Sequence, residues 1–290
     1  MIKKEMQYNK ETVTLENEKI IVRLIPELGN KVSSIYSKER DFEFLFQPTK
    51  GEFTDVEYGA DFSTGSRCGL DDCIPSIDPC DYKDTGIKMV DHGDTWSIPW
   101  NVIVEDNKVI GKVNLKTLPL EFQRTVSLNG NEILIEYQVK NLSDETHQYL
   151  WAFHGLNNFN DKTYLEFPKE LNNYINVQND EKWDDIRNLG NFKKNWTFKY
   201  YFTDKIENGW ATLVYPDKKL KYTIKFNPEE NPYLGVWITT GGYMDEVNIG
   251  VEPCNGFYDS LERAINNDKV KSIKANEIDT WNIRILIEEI

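Results

Sequence analysis

The 290-residue chain is poor in histidine, cysteine and positive charge. Three His and four Cys are present, and 34 Lys and Arg stand against 48 Asp and Glu, a net charge of −14. A chain of that sign is a poor match for phosphate backbones and anionic lipid, which require clustered basic side chains. Nucleic acid and membrane are therefore not expected partners. Long apolar runs are absent as well: IIVRLIP near the start is short and contains Arg23, whereas a spanning helix needs about 20 apolar residues. The opening MIKKEMQYNKETVTLENE has basic residues with no apolar stretch behind them, so no secretory signal is read there and the expected location is the cytoplasm. Cys68, Cys73, Cys80 and Cys254 form no Cys-x-x-Cys pair, and free thiols without a metal are the expectation. Missing too are GxGxxG after a strand, GxxxxGK[ST], HExxH, GxSxG and a calcium-loop pattern. Dinucleotide, P-loop, zinc-protease and α/β-hydrolase chemistry thus have no support in the sequence, and imidazole chemistry can draw only on His92, His147 or His154.

What is present is aromatic and strand-like. Aromatic residues make up 13% of the chain and include eight Trp, a composition that disordered chains lack. LEFQRTVSL (120–128) and EILIEYQVK (132–140) alternate apolar and polar residues around Asn129-Gly130, which predicts a hairpin with its turn at that dipeptide. NVIVED and KVIGKVNL predict a second strand pair. YLWAFH, GWATLVY, KYTIKF, LGVWITT, VNIGVEP and TWNIRILIEE read as further strands. Short strands at regular intervals between polar turns predict an all-β sandwich or barrel. The helical signal is DSLERAI (259–265), with Asp259 or Ser260 as N-cap. Residues 168–191 are polar, aromatic and irregular, and read as a long loop with short helices, able to act as a lid. No linker divides the chain, so one domain over 1–290 is predicted.

Strand alternation singles out the candidate site residues. In YLWAFH, Tyr149, Trp151 and Phe153 share one face and Leu150, Ala152 and His154 the other, which suits a lined cavity or a partly exposed edge. In NIGVEP, Asn248, Gly250 and Glu252 lie opposite Ile249 and Val251, so Glu252 is either a cavity carboxylate or a solvated one. His92, in Asp-His-Gly-Asp, lies at a loop-to-strand entry, as a functional group or as a loop histidine bonded to Asp91 or Asp94. Arg67 offers a donor fork to hydroxyl or carboxylate oxygens, or pairs with Asp71 or Asp72. Trp237 stacks on a sugar face or packs in the core.

These segments and their order resemble the aldose epimerase (galactose mutarotase) superfamily, in a divergent mutarotase-related branch. The resemblance rests on GNKVSSI (29–35), the loop GLDDCIP (69–75), Asp91-His92-Gly93, a strand ending Asn141-Leu-Ser143-Asp144, the His154 that follows, and Glu252-Pro253 ahead of Asp259-Ser260-Leu261. It implies a large antiparallel supersandwich whose open concave face holds a small-molecule sugar, with no cofactor. It further implies Glu252 as general base, His154 as general acid, and His92 and Arg67 as substrate-binding residues; Trp237 and Asp72 are taken as further substrate-binding candidates beside it. The binding Asp of the family has no matched position, Asp204 being one guess. Characterised galactose mutarotases carry Asn-His-x-x-Phe-Asn where this chain has Phe153-His154-Gly155-Leu156-Asn157, so galactose itself is not implied.

Mutarotation suits such a pair. The anomeric hydroxyl loses a proton while the ring oxygen gains one, and rotation about a carbon–carbon bond then presents the other aldehyde face. A Glu, with pKa near about 4.3, accepts, and a His, near about 6.5, donates. Competing readings are a sugar-binding sandwich without turnover, an epimerase acting on a hexose phosphate, and a glycosidase-like pairing of Glu252 with Asp91 or Asp94.

Overall fold

The computed structural model describes every residue except Asp180 and Asp184. An eleven-stranded and an eight-stranded sheet dominate it, with antiparallel ladders throughout the predicted strand pairs. Val22, Ile35, Val236 and Ile249 of the larger sheet share one buried cluster with Phe122, Ile135, Tyr222 and Ile283 of the smaller. Two sheets closing over a common apolar layer make the expected sandwich.

The NG hairpin forms between Leu120–Asn129 and Glu132–Asn141. Asn129 retains a cross-strand partner, Glu132, so the two-residue loop is Gly130-Asn131, one position later than predicted. Only Gly130 of the two takes a positive φ, +60°. The single described α-helix, Leu261–Asn266, is capped by Ser260, whose hydroxyl accepts from Arg263 N at 3.1 Å. YLWAFH divides into His147–Tyr149 and Ala152–Asn157. Between them the Trp151 amide bonds Asn255 Oδ1 at 2.6 Å rather than a strand partner. The predicted loop over 168–191 contains a strand, Tyr174–Asn176, which pairs with Thr197–Phe202 at the edge of the larger sheet. Asp180 and Asp184 of that segment lie outside the described residues. Among the described residues, no helix is long and apolar enough to cross a membrane, and all four cysteines are free.

The site depends on the middle of the larger sheet. There the order is Leu70–Cys73, Ala152–Asn157, Val247–Cys254, Tyr233–Thr240 and Thr197–Phe202. One face of this run packs on the core and the other lines a cavity.

Candidate active site

Strand pairing brings the proposed acid and base together. Ala152 lies opposite Cys254 and Leu156 opposite Gly250. The register is the same on either side of the unpaired stretch between them, which puts His154 and Glu252 at matching positions on neighbouring strands, and both line one cavity. Alternation then works as the sequence predicts: Ile249 and Val251 enter the core, while Asn248 and Glu252 face the cavity. Gly250 keeps the carboxyl free of its neighbour, since a Cβ there would come within 3.0 Å of Glu252 Oε1.

The cavity has a volume of about 320 Å³, at the small end of the range for small-molecule sites. Glu252, His154, His92, Arg67 and Trp237 all line it. His92 reaches it from a tight turn, with φ +56° at His92 and +75° at Gly93. A Cβ on Gly93 would lie 2.2 Å from the Ile74 carbonyl oxygen, so the turn requires glycine. The His92 ring stacks on Phe62 at 4.0 Å and stands edge-on to His154 at 4.9 Å. Its Nδ1 lies 2.9 Å from Asp91 Oδ1. Although burial opposes it, this hydrogen bond holds the Asp91 carboxyl below the usual range. Trp237 Nε1 donates to Asn248 Oδ1 at 3.1 Å.

Glu252 is fully buried. Oε2 lies 3.1 Å from Lys199 Nζ, which is also 3.0 Å from Asp259 Oδ1. The Lys199–Glu252 contact is an ion pair without hydrogen-bond alignment, and neither Glu252 oxygen has an aligned donor. Burial raises the Glu252 pKa, and Lys199 opposes the rise. His154 is driven the other way: burial first, then the charges of His92, Lys199 and Lys31, hold it well below its ordinary pKa. It is a neutral imidazole at neutral pH, with Nδ1 unpartnered. Burial penalises the Lys199 charge, but the Asp259 and Glu252 carboxylates outweigh this and raise its pKa.

Arg67 pairs with neither aspartate suggested by its sequence neighbourhood. Its Nε and Nη2 donate to Glu246 Oε1 at 3.0 and 2.6 Å. Asp72 is a correction. Alternation along Leu70–Cys73 turns it into the sandwich interior, where it pairs with Arg124 at 2.7 Å and accepts from Trp151 Nε1 at 3.0 Å. It does not reach the cavity. Asp204 is also elsewhere, bonded to the amides of Asn172 and Asn173 at 2.7 Å. The glycosidase-like pairing finds no second carboxylate in Asp91 or Asp94, neither of which lines the cavity. Asp94 is consumed by Tyr58, Lys116 and Thr117.

Among the described residues, Cys73, His92 and His154 have ligand-type atoms within 4.8 Å of one another. Burial keeps the Cys73 thiol far above its ordinary pKa.

The sequence matches no family model and no curated protein. Solved structures do match over essentially the whole chain. The Slr1438 protein of Synechocystis sp. PCC 6803 superposes with TM-score 0.77 at 20% identity, covering 100% of both chains. A galactose mutarotase related enzyme of Lactobacillus acidophilus gives 0.72 at 16%, covering 96% of this chain and 97% of its own. A galactose mutarotase-like protein of Clostridium acetobutylicum gives 0.71 at 16%, covering 100% and 99%. The chain has the galactose mutarotase-like fold.

Three charged side chains of this cavity escape sequence reading: Lys199, Asp259 and Glu246. Lys199 sits in TFKYYF, where the aromatic run dominates and only strand pairing reveals what the lysine faces. Asp259 reads as a helix cap, and Glu246 stands in a turn just before its strand. Each depends on a contact across more than 50 residues of chain.

Proposed function

We propose that the protein is an aldose epimerase that interconverts the α and β anomers of a free sugar, with Glu252 as base and His154 as acid. One observation carries the reading. A buried carboxylate with an unpartnered oxygen stands opposite a neutral imidazole on the floor of a single cavity. Such a pair handles two protons at once. Glu252 takes the proton of the anomeric hydroxyl, the bond from the anomeric carbon to the ring oxygen breaks, and His154 gives an N–H proton to the departing oxygen. A neutral imidazole can serve as electrophile where its pKa is pushed down. The positive surroundings that lower the pKa of His154 also stabilise the anion it leaves. Rotation and the reverse transfers close the other anomer. His92 and Arg67 supply donors at the rim, and Trp237 offers a ring face to the sugar C–H bonds.

Charge balance supports an unphosphorylated substrate. Each cation lining the cavity has a carboxylate: Arg67 with Glu246, Lys199 with Glu252 and Asp259, Arg263 with Asp78. Among the described residues lining it, none is left over for a phosphate.

Polarimetry on freshly dissolved anomers of several aldoses tests the reading. Wild type accelerates equilibration, and Glu252→Gln slows it by about 10²–10⁴-fold while sugar affinity changes only a few-fold. Near-normal rates in the variant remove Glu252 as base. A sugar that binds while its anomers equilibrate no faster than in buffer makes the protein a binding sandwich.

A further inference from the structure

Lys199 belongs to a strand two places from that of Glu252. In register it lies opposite Trp237, which lies opposite Gly250. Its ammonium nevertheless reaches both Glu252 Oε2 and Asp259 Oδ1, and the side chain is almost closed to solvent, 10% exposed. Asp259 is itself held by the Tyr201 hydroxyl at 2.7 Å. The cation is therefore fixed between two carboxylates, one of which is the proposed base.

We infer that Lys199 is a positioning residue that keeps Glu252 ionised from its place between the two carboxylates and, behind burial and His92, helps hold His154 unprotonated. Its catalytic consequence rests on the aldose epimerase reading; its electrostatic role does not. The groups around the pair leave Lys199 as the principal counter-charge of the base. Burial raises the Glu252 pKa, Asp259 adds to the rise, and Lys199 and, more weakly, His92 oppose it. The other titratable groups near Glu252 are the Cys73 and Cys254 thiols and the Tyr201 phenol, all driven by burial into their protonated, uncharged forms. At His154, Lys199 acts with burial, His92 and Lys31. An opposite charge at this range shifts a carboxyl by about 1–3 pH units, so without the lysine the base holds its proton to higher pH.

The test compares wild type, Lys199→Met and Lys199→Arg in kcat/KM from about pH 4 to 9, alongside ¹⁵N titration of the His154 ring. Lys199→Met moves the acid limb up by about one pH unit or more, and Lys199→Arg restores it to within about half a unit. The His154 ring in Lys199→Met also protonates at higher pH than in wild type. Removing Asp259, which acts on Glu252 in the opposite sense, makes Asp259→Asn move the limb down. A Lys199→Met limb and imidazole titration that coincide with wild type overturn the inference and leave the epimerase reading intact. A wild type without turnover ends that reading instead, and the ring titration alone then decides the role of Lys199. Should Lys199→Met fail to fold, an Asp259→Asn limb that stays in place or moves up overturns the inference.

Discussion

Asp72 and Glu252 are both carboxylates with fully buried side chains, and each faces a buried cation. Burial raises the pKa of both, and the cation opposes the rise in both. Their surroundings differ. At Asp72 the two oxygens are used separately, one by Arg124 and one by the Trp151 indole, inside a packed sandwich. Arg124 also donates to the Asn30 carbonyl oxygen. At Glu252 no donor is aligned on either oxygen, and the side chain faces a cavity. A buried charge by itself is therefore a weak indicator of function. A buried charge whose oxygens face a hollow is a stronger one, because a ligand entering there can meet them.

The largest effect that sharpens the contrast lies on the cavity side. His154→Asn should slow anomer equilibration by about 10²–10⁴-fold with little change in unfolding midpoint. A fall in affinity alone would make His154 a binding group. In wild type the rate should decline as the pH drops through the Glu252 pKa, at a pH above the ordinary carboxylate range, because burial raises that pKa and the ionised form is the active one. No inflection from His154 is expected near pH 6.5, since its pKa lies well below that value.

The effect on the interior side is one of stability. Arg124→Met strands the Asp72 charge among Trp151, Tyr137 and Trp281 and should cost about 3–5 kcal/mol in urea unfolding. A loss under about 1 kcal/mol would place the Asp72 pair in the same class as a surface ion pair and break the comparison. The smallest effect is at the cavity wall. Trp237→Ala should raise KM by up to about tenfold, corresponding to an aromatic contact of about 0.5–1.5 kcal/mol, with kcat near wild type. A kcat loss as large as that of His154→Asn would show that Trp237 does more than hold the sugar.

Much of this arrangement is legible in the chain because strand period two is a local property. Ile249 and Val251 against Asn248 and Glu252 assign the faces of one strand, and Trp151 and Phe153 against His154 assign those of another. Asp72 is misread for a related reason: four consecutive buried residues, Leu70–Cys73, show no polar alternation to reveal which aspartate faces which side. Lys199, Asp259 and Glu246 were not legible, because their partners are set by the order of strands in the sheet. The hairpin was found but displaced by one residue, since an Asn at that place pairs across the ladder as well as it turns.

The alignment of His154 with Glu252 ties the chemistry to the weave of the sheet. Side chains alternate faces along a strand, so a slip of one residue in Val247–Cys254 would send Glu252 into the apolar interior and bring an aliphatic neighbour into the hollow. Changes of sugar preference therefore have to come from the parts that can vary without moving that register: the Phe62 and Arg67 loop, the His92 turn, and Val177 and Gln178 at the edge. The strands hold the reaction constant while the rim remains free to diversify.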